Sequence, residues 1–396
     1  MLAVLFGAGL APAQELTLPQ ALDLARQRAP LILSARARIA EAKGRLTGAL
    51  VRFRDNPLVE FDAGPRFTPQ GNLATIDAGV SQNFELGGRR AARIAGAEAG
   101  VARETAASDD AARLLLRDVS IAFARALWSQ KRLELLWGSE RLAAEFLDSA
   151  QKRFDAGDIP ALDLNLAKTS AVRARAEVRT ATVDLTEALG DLRVFLGMAP
   201  EDPLAIRGDL RDRPQLNLDA LLVAAVDRPD LRAIAAELRE AGSDAQLGEA
   251  FKWPDLALGA KYSRDEGNNI VQGGLKLTLP VFSRGQELQA TGNARSSRLR
   301  FELDSAARTA RSEVRTAWDS QRFRAETVAE IESAVLPALD ENDSLAARSY
   351  EEGQIGLPEL ILIRRETLET RLLYANSLLD AFLASVDLQF RSGVLR

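Results

Sequence analysis

The stretch LVEFDAGPRF, Leu58–Phe67, alternates between apolar and polar side chains. Three later segments show the same alternation, and Gly- and Asn-containing loops at 67–72 and 265–269 separate the members of each pair. Period-2 alternation over about ten residues has the length and pattern of a strand that crosses a membrane. We therefore predict two hairpins, built from strands at 58–67, 75–85, 256–263 and 270–279.

These hairpins have two interpretations. They could be amphipathic hairpins packed on a soluble core, or they could face hydrocarbon. In lipid a sheet must close, because open edges leave backbone groups unsatisfied at several kcal/mol each. Four strands cannot close alone. Two chains would give eight strands and a filled interior, whereas three would give twelve and a usable lumen, so a conduit predicts a homotrimer.

The rest of the chain repeats itself. A shift of 196 places Arg153–Lys168 (RFDAGDIPALDLNLAK) on Ser349–Arg364 (SYEEGQIGLPELILIR), with Gly157 on Gly353. Each copy holds a helix, two alternating segments, a very long helical stretch, a tight turn and another helix. Pro337 should kink or interrupt the second long helix. We predict a first repeat at 14–197, a connector at 198–218 and a second repeat at 219–393.

The amino-acid composition excludes several kinds of catalytic and metal site. The 396 residues contain no Cys and no His, so a thiolate nucleophile, a Ser-His-Asp triad and a zinc site of the usual ligands are ruled out. The net charge is −5, whereas a nucleic-acid-binding protein usually carries a basic surface. The sequence also lacks the Gly-rich loop with a Lys that binds nucleotide phosphates. We expect no cofactor, no metal centre and no enzyme; only a carboxylate-based hydrolase survives as an enzymatic alternative.

The N-terminus predicts export. Residues 2–11 form an apolar run that leads into Ala11-Pro12-Ala13, which is typical of a signal peptide at 1–13. No Lys or Arg precedes the apolar run. A disordered apolar N-terminus is the alternative. No stretch of 18 or more apolar residues follows, so a membrane-spanning helix is not expected.

Together, the duplication, the order of elements and three local motifs resemble the TolC family of outer-membrane efflux channels. The motifs are QNFELGGRR at 82–90, RFDAGDIPALD at 153–163 and LPVFSRGQ at 279–286. The forms ELGGR and FSRGQ are most similar to the heavy-metal (CzcC-like) branch. The resemblance implies an α+β membrane protein: a homotrimer with a 12-stranded outer-membrane β-barrel, continued by a periplasmic α-helical barrel, with the connector in a belt around it.

By this resemblance the protein is a passive exit duct of a tripartite efflux system that exports metal cations or small toxic solutes. Its partners would be a periplasmic adaptor protein, an inner-membrane RND pump and outer-membrane lipid. Two alternatives remain: a similar duct for type I protein secretion, and a periplasmic coiled-coil adaptor that spans no membrane.

Three groups of residues are candidates for function. Glycines at the ends of long helices predict tight turns, and the resemblance makes the turns the adaptor-docking tips: Gly157, Asp158, Gly353 and Gln354. It also places Asp163, Glu359 and Tyr350 at the periplasmic aperture, or iris; the alternative for both carboxylates is stabilisation of a helix N-terminus. A hydrated barrel lumen would be lined by Glu60, Asp62, Asp77, Glu85, Lys261 and Lys276, together with Arg66.

Overall fold

The computed structural model describes residues 15–69, 71–265 and 268–395, so the predicted signal peptide at 1–13 lies outside the described residues. The described chain is mostly helical and contains one small antiparallel sheet. The helices are α1 (Leu18–Arg28), α2 (Pro30–Leu50), α3 (Arg89–Asp155), α4 (Ala161–Leu196), α5 (Leu218–Ala224), α6 (Pro229–Ala250), α7 (Gln286–Glu330), α8 (Leu336–Glu351) and α9 (Leu357–Ser392). The strands are β1 (Leu58–Thr68), β2 (Gly71–Phe84), β3 (Asp255–Asp265) and β4 (Asn268–Thr278).

The chain folds into two compact units, and both repeats contribute to each of them. The sheet unit consists of Ser34–Asp110 and Pro229–Arg308. The core unit consists of the described parts of Met1–Leu33, Ala111–Arg228 and Thr309–Arg396. The units therefore cut across the sequence repeat, because the hairpin and the adjoining helix ends of each copy pack with their counterparts from the other copy.

The four strands form one sheet in the order β1-β2-β3-β4, with every neighbouring pair antiparallel. They correspond to the four alternating segments, and β2 begins four residues before its predicted start at Thr75. The central pairing joins the two repeats, since Asp77 of β2 lies opposite Ser263 of β3. Both outer strands, β1 and β4, leave one edge without a strand partner in the described chain.

In the sheet unit, α6 and α7 approach each other backbone to backbone. A β-carbon built on Gly248 would lie 2.4 Å from the Gln289 nitrogen, and one on Gly292 would lie 2.6 Å from the Ala245 nitrogen. Gly285, at φ +74°, makes the turn that leads into α7. Only glycine fits at this distance, because any side chain would push the two helices apart.

In the core unit, a hydrophobic cluster forms between α1, the middle of α3 and the end of α4. Its largest fully buried members are Phe123, Leu192 and Leu196. The connector joins the same cluster through Ile206, and the Leu16 N–H donates to the Ala205 carbonyl at 2.8 Å. The connector is thereby fixed against the helices rather than looping away from them.

Pro337 interrupts the second long helix as its chemistry requires. The five residues Ile331–Val335 between α7 and α8 adopt a π-helix, and the Leu336 N–H donates to the Ile331 carbonyl, five residues back. A proline ring clashes with the carbonyl four residues before it, here that of Ser333, and lacks the N–H to bond with it. The wider π-turn accommodates both effects.

Within residues 15–69, 71–265 and 268–395, none of the helices is both long enough and sufficiently apolar to cross a membrane.

Candidate functional site

The register of the sheet collects the predicted lumen residues other than Glu85 on one face. Asp62 of β1 lies opposite Asp77 of β2, and Lys261 of β3 donates to the Asp77 carboxylate at 3.3 Å. Because directly opposite residues point to the same side of a sheet, Glu60, Arg66 and Lys276 share this face with them. The described side chains of this face therefore carry charges of both signs.

Glu85 lies one residue beyond the end of β2 and has a different environment. Its carboxylate forms an ion pair with Arg93 of α3, and less than a fifth of either side chain is exposed. Among the predicted lumen residues, Glu85 is thus the one that helps to fix a strand to a helix.

The opposite face of the sheet is mostly apolar, and its large apolar side chains are exposed. The exposed fractions of its side chains reach 73% for Val59, 68% for Phe61, 79% for Val271 and 63% for Leu275. A soluble monomer rarely exposes a contiguous apolar face of this kind, and such faces mark sites of contact with membranes or other proteins.

The two predicted tip turns have the same geometry. Gly157 and Gly353 adopt φ of +80° and +73°. The Asp158 N–H donates to the Arg153 carbonyl and the Gln354 N–H to the Ser349 carbonyl, each at 2.8 Å. This six-to-one bond, with the glycine in the left-handed conformation, is a Schellman motif that satisfies carbonyls at the end of a helix. Both turns are exposed and rigidly bonded.

The structure brings the two tips together through Tyr350. The Arg153 guanidinium at the end of α3 donates to the Tyr350 hydroxyl of α8 at 3.2 Å. The tyrosine ring contacts Phe146 edge-on, with ring centroids 6.4 Å apart. Beneath it, Leu164 at the start of α4 and Leu357 at the start of α9 are buried in one cluster. Tyr350 therefore links the first helical hairpin to the second.

Asp163 and Glu359 occupy the same position, the third residue of α4 and of α9. The Glu359 carboxylate accepts from the Gly356 N–H at 2.9 Å, which is half of a capping box. The helix-stabilising role that the sequence left open is thus present for Glu359. Its side chain is nevertheless exposed, so the second carboxylate oxygen is accessible to solvent.

The sequence did not point to the contact of the connector with the π-helix. Arg211 donates to the Tyr374 hydroxyl of α9 at 2.8 Å, and that hydroxyl donates to Glu332 at 2.5 Å. Burial and the bond to Glu332 raise the pKa of Tyr374, and the bond to the tyrosine raises the pKa of Arg211. The residue types alone carry no signal for this contact. The Pro337 interruption gave the only hint, since it places Glu332 in the π-turn.

In the described part of the chain, no group of three or more Asp or Glu side chains is arranged to hold a metal ion. Three of the predicted site carboxylates instead have a close partner: Asp77 pairs with Lys261, Glu85 with Arg93, and Glu359 accepts from the Gly356 N–H.

Comparison with known proteins gives a consistent result. Residues 21–198 match the family described as outer membrane efflux protein. The chain is 25% identical over 319 residues to the cobalt-zinc-cadmium resistance protein CzcC of Cupriavidus metallidurans, which covers 79% of this chain and 76% of that protein. It is 27% identical over 321 residues to the nickel-cobalt-cadmium resistance protein NccC of Alcaligenes xylosoxydans xylosoxydans, covering 77% and 70%.

Among solved structures, CusC, described in connection with transmembrane channel formation, superposes with a TM-score of 0.78 at 16% identity. The superposition covers 97% of this chain and 95% of that one. At this identity the likeness concerns the fold, which therefore extends over both repeats.

Proposed function

We propose that this chain is the passive outer-membrane exit duct of a tripartite RND-type efflux system, because residues 21–198 match the outer membrane efflux protein family and the chain is similar to two metal-resistance proteins. Its cargo is metal cations or small toxic solutes. The observation that carries this function is a four-stranded sheet with one bare apolar face, one charged face and two open edges.

The two faces suit a barrel wall. Val59, Phe61 and Val271 would meet hydrocarbon, where their exposure in the single chain becomes burial in lipid. Asp62, Asp77 and the other charged residues of the opposite face would line water, which is the alternation found in outer-membrane barrels. The Asp77–Lys261 ion pair belongs on that hydrated side, where its cost of desolvation is small.

The two edges suit closure by further copies. Since the strands alternate in direction and each chain contributes four, β4 of one copy can pair antiparallel with β1 of the next. Three copies give twelve strands and an interior wide enough for solutes. The helices of the three copies would continue the duct into the periplasm.

We infer the partners from the ligand types that are absent from the chain and from the exposed turns at its tips. Cys and His are absent, so this chain has no thiolate or imidazole ligand with which to select a metal, and selection belongs to the inner-membrane pump. The exposed turns at Gly157, Asp158, Gly353 and Gln354 would dock the periplasmic adaptor. Their Schellman bonds hold these turns in one conformation before docking, which lowers its entropic cost.

The oligomeric state tests this function directly. Protein solubilised from outer membranes with detergent and crosslinked with a short amine- or carboxylate-reactive reagent is expected to give the mass of three chains. The same protein should form ion-conducting channels in planar bilayers. A monomer that salt alone extracts from membranes would overturn the duct and favour a periplasmic adaptor.

Asp163 and Glu359 provide a second test, at the aperture. In a trimer these two positions would place three carboxylates of each kind around the threefold axis, where they attract cations. The double variant D163N/E359Q should therefore reduce the cation-over-anion permeability ratio, measured from the reversal potential in a salt gradient. The amide introduced by E359Q keeps an oxygen acceptor for the Gly356 N–H, so the helix cap is retained.

The matched control is E187Q/D191N, which removes the same charges from exposed positions farther along α4. Equal reversal potentials for the two double variants would refute the aperture assignment. Tyr350→Phe adds a separate readout, because it removes only the hydroxyl that accepts from Arg153 and thus tests what this bond contributes to the single-channel conductance.

A further inference from the structure

One end of the sheet carries exposed aromatic and cationic side chains. They lie in the segments that precede β1 and β3 and follow β2 and β4, and the antiparallel register brings these strand ends to the same end of the sheet. We call this group the collar. Its members are Arg52, Phe53, Arg54, Trp253, Phe282 and Arg284.

The aromatic members are exposed although they are large. Trp253 is 58% exposed and Phe282 is 90% exposed. Phe53 contacts Phe84 edge-on at 5.6 Å, and Phe84 belongs to the apolar face of the sheet, so the collar continues that face. Aromatic rings at the limit of an apolar band are typical of the boundary between hydrocarbon and head groups.

The exposed position of Phe282 is fixed by local bonds. The Gln286 side-chain amide donates to the Phe282 carbonyl at 2.7 Å, and its oxygen accepts from the Arg284 N–H at 2.6 Å. The turn between β4 and α7 is therefore held closed, and it presents Phe282 and Arg284 outward together.

The charge at this end is positive after its internal pairs are subtracted. Glu85 is paired with Arg93, Asp255 with Arg89, and Glu249 with Lys252. The exposed cations Arg52, Arg54, Arg90 and Arg284 then outnumber the exposed carboxylates Asp55 and Glu287. Arg52 also lies over the Phe53 ring, with its guanidinium carbon 5.6 Å from the centroid. The pairing leaves cations directly beside apolar rings.

We propose that the collar binds the phosphate groups of anionic phospholipids in the periplasm-facing leaflet. The aromatic rings would lie at the acyl-chain boundary, and the guanidinium groups would donate to phosphate oxygens, the bidentate geometry that arginine favours. This inference rests on the proposed function, since it requires the sheet to lie in a bilayer. It adds an axial anchor that sets the depth of the barrel.

The test uses the full-length protein purified in mild detergent and titrated with phosphatidylglycerol or with phosphatidylcholine, with bound lipid counted by native mass spectrometry. Wild-type protein should bind phosphatidylglycerol more tightly. Each arginine close to an anionic surface contributes about a fivefold factor in affinity, so R52Q/R54Q/R284Q should lose most of this preference.

The control triple variant R141Q/R179Q/R315Q removes three exposed arginines from the core unit and should bind like wild type. If the collar variant retains the preference for phosphatidylglycerol, or if the control variant loses it equally, the collar assignment is overturned. Protein that forms trimeric channels in neutral bilayers but shows no lipid preference would refute the collar alone. Protein that enters no bilayer would refute the duct as well.

Discussion

Gly248→Ala is expected to lower the free energy of unfolding by about 2 to 3 kcal/mol, the upper part of the usual range of about 1 to 3 kcal/mol for overpacking. The new methyl carbon would lie 2.4 Å from the Gln289 nitrogen and 2.9 Å from the Gly285 carbonyl oxygen. These are backbone atoms that cannot rotate away, so α6 and α7 must separate. Denaturant unfolding of the detergent-solubilised protein, followed by far-UV circular dichroism, measures the change.

Gly242→Ala is the matched control on the same helix. A β-carbon at this position meets no atom within 4 Å, and alanine favours a helix interior over glycine by up to about 1 kcal/mol. The control should therefore be neutral or stabilising, opposite in sign to Gly248→Ala. If both variants unfold at the same denaturant concentration, the close approach of α6 and α7 is not what stabilises this part of the molecule.

The strands and their faces could be predicted from the sequence because period-2 alternation is a local property. Val59 and Phe61 share a face in any strand, whatever it pairs with. The turns at Gly157 and Gly353 were predictable for a similar reason, since a glycine after a long helix favours the left-handed conformation. Local chemistry determines these features, and the order of elements then follows from their spacing.

The contacts that join the two repeats could not be predicted in this way. The Asp77–Lys261 pair depends on the register between two hairpins far apart in the chain, and Arg153–Tyr350 depends on how one helical hairpin packs on the other. From the sequence alone, Gly248 would be expected to destabilise its helix, because glycine is unfavourable in a helix interior. Its role is visible only once Gln289 is placed against it.

For the candidate aperture too, part of the geometry could be predicted from the sequence and part could not. That Asp163 and Glu359 occupy equivalent positions was evident from the repeat, and the structure places both at the third residue of a helix. The sequence left two roles open for Glu359, an aperture carboxylate or a residue that stabilises the helix N-terminus, and the bond from the Gly356 N–H corresponds to the second. A cap needs only one oxygen of an exposed carboxylate, so capping and attraction of cations are compatible in the same residue.

Arg89→Met is the second variant for which we expect a large effect, a loss of about 3 kcal/mol in the free energy of unfolding. Arg89, at the start of α3, is only 6% exposed. Its guanidinium donates to the carbonyls of Ala250 at 3.3 Å and Trp253 at 2.6 Å, and it forms an ion pair with Asp255. It therefore fastens the helix of one repeat to the first strand of the other.

The magnitude follows from the groups that lose their donor. A hydrogen bond from a charged donor contributes about 1.5 to 3 kcal/mol. Asp255 is half exposed and can bind water instead, so its share is small. The Ala250 carbonyl still accepts from the Trp253 N–H at 3.2 Å, so most of the loss comes from the bond to the Trp253 carbonyl. Methionine keeps the apolar contact with Phe251 but loses the stacking of the charge at 4.5 Å. Arg89→Lys should fall in between, because an ammonium group cannot reach several acceptors in the arginine fork geometry.

Arg90→Met separates this effect from a general loss of charge. Arg90 is the neighbouring residue, exposed, and it donates to the Leu50 carbonyl at 3.0 Å. Its replacement should cost less than about 1 kcal/mol. Denaturant unfolding followed by far-UV circular dichroism should show a clearly lower transition midpoint in Arg89→Met only. If the Arg89 and Arg90 variants lower the transition midpoint equally, the buried bonds of Arg89 contribute no more to stability than an exposed arginine. The hairpin of the second repeat would then be held to α3 by other contacts.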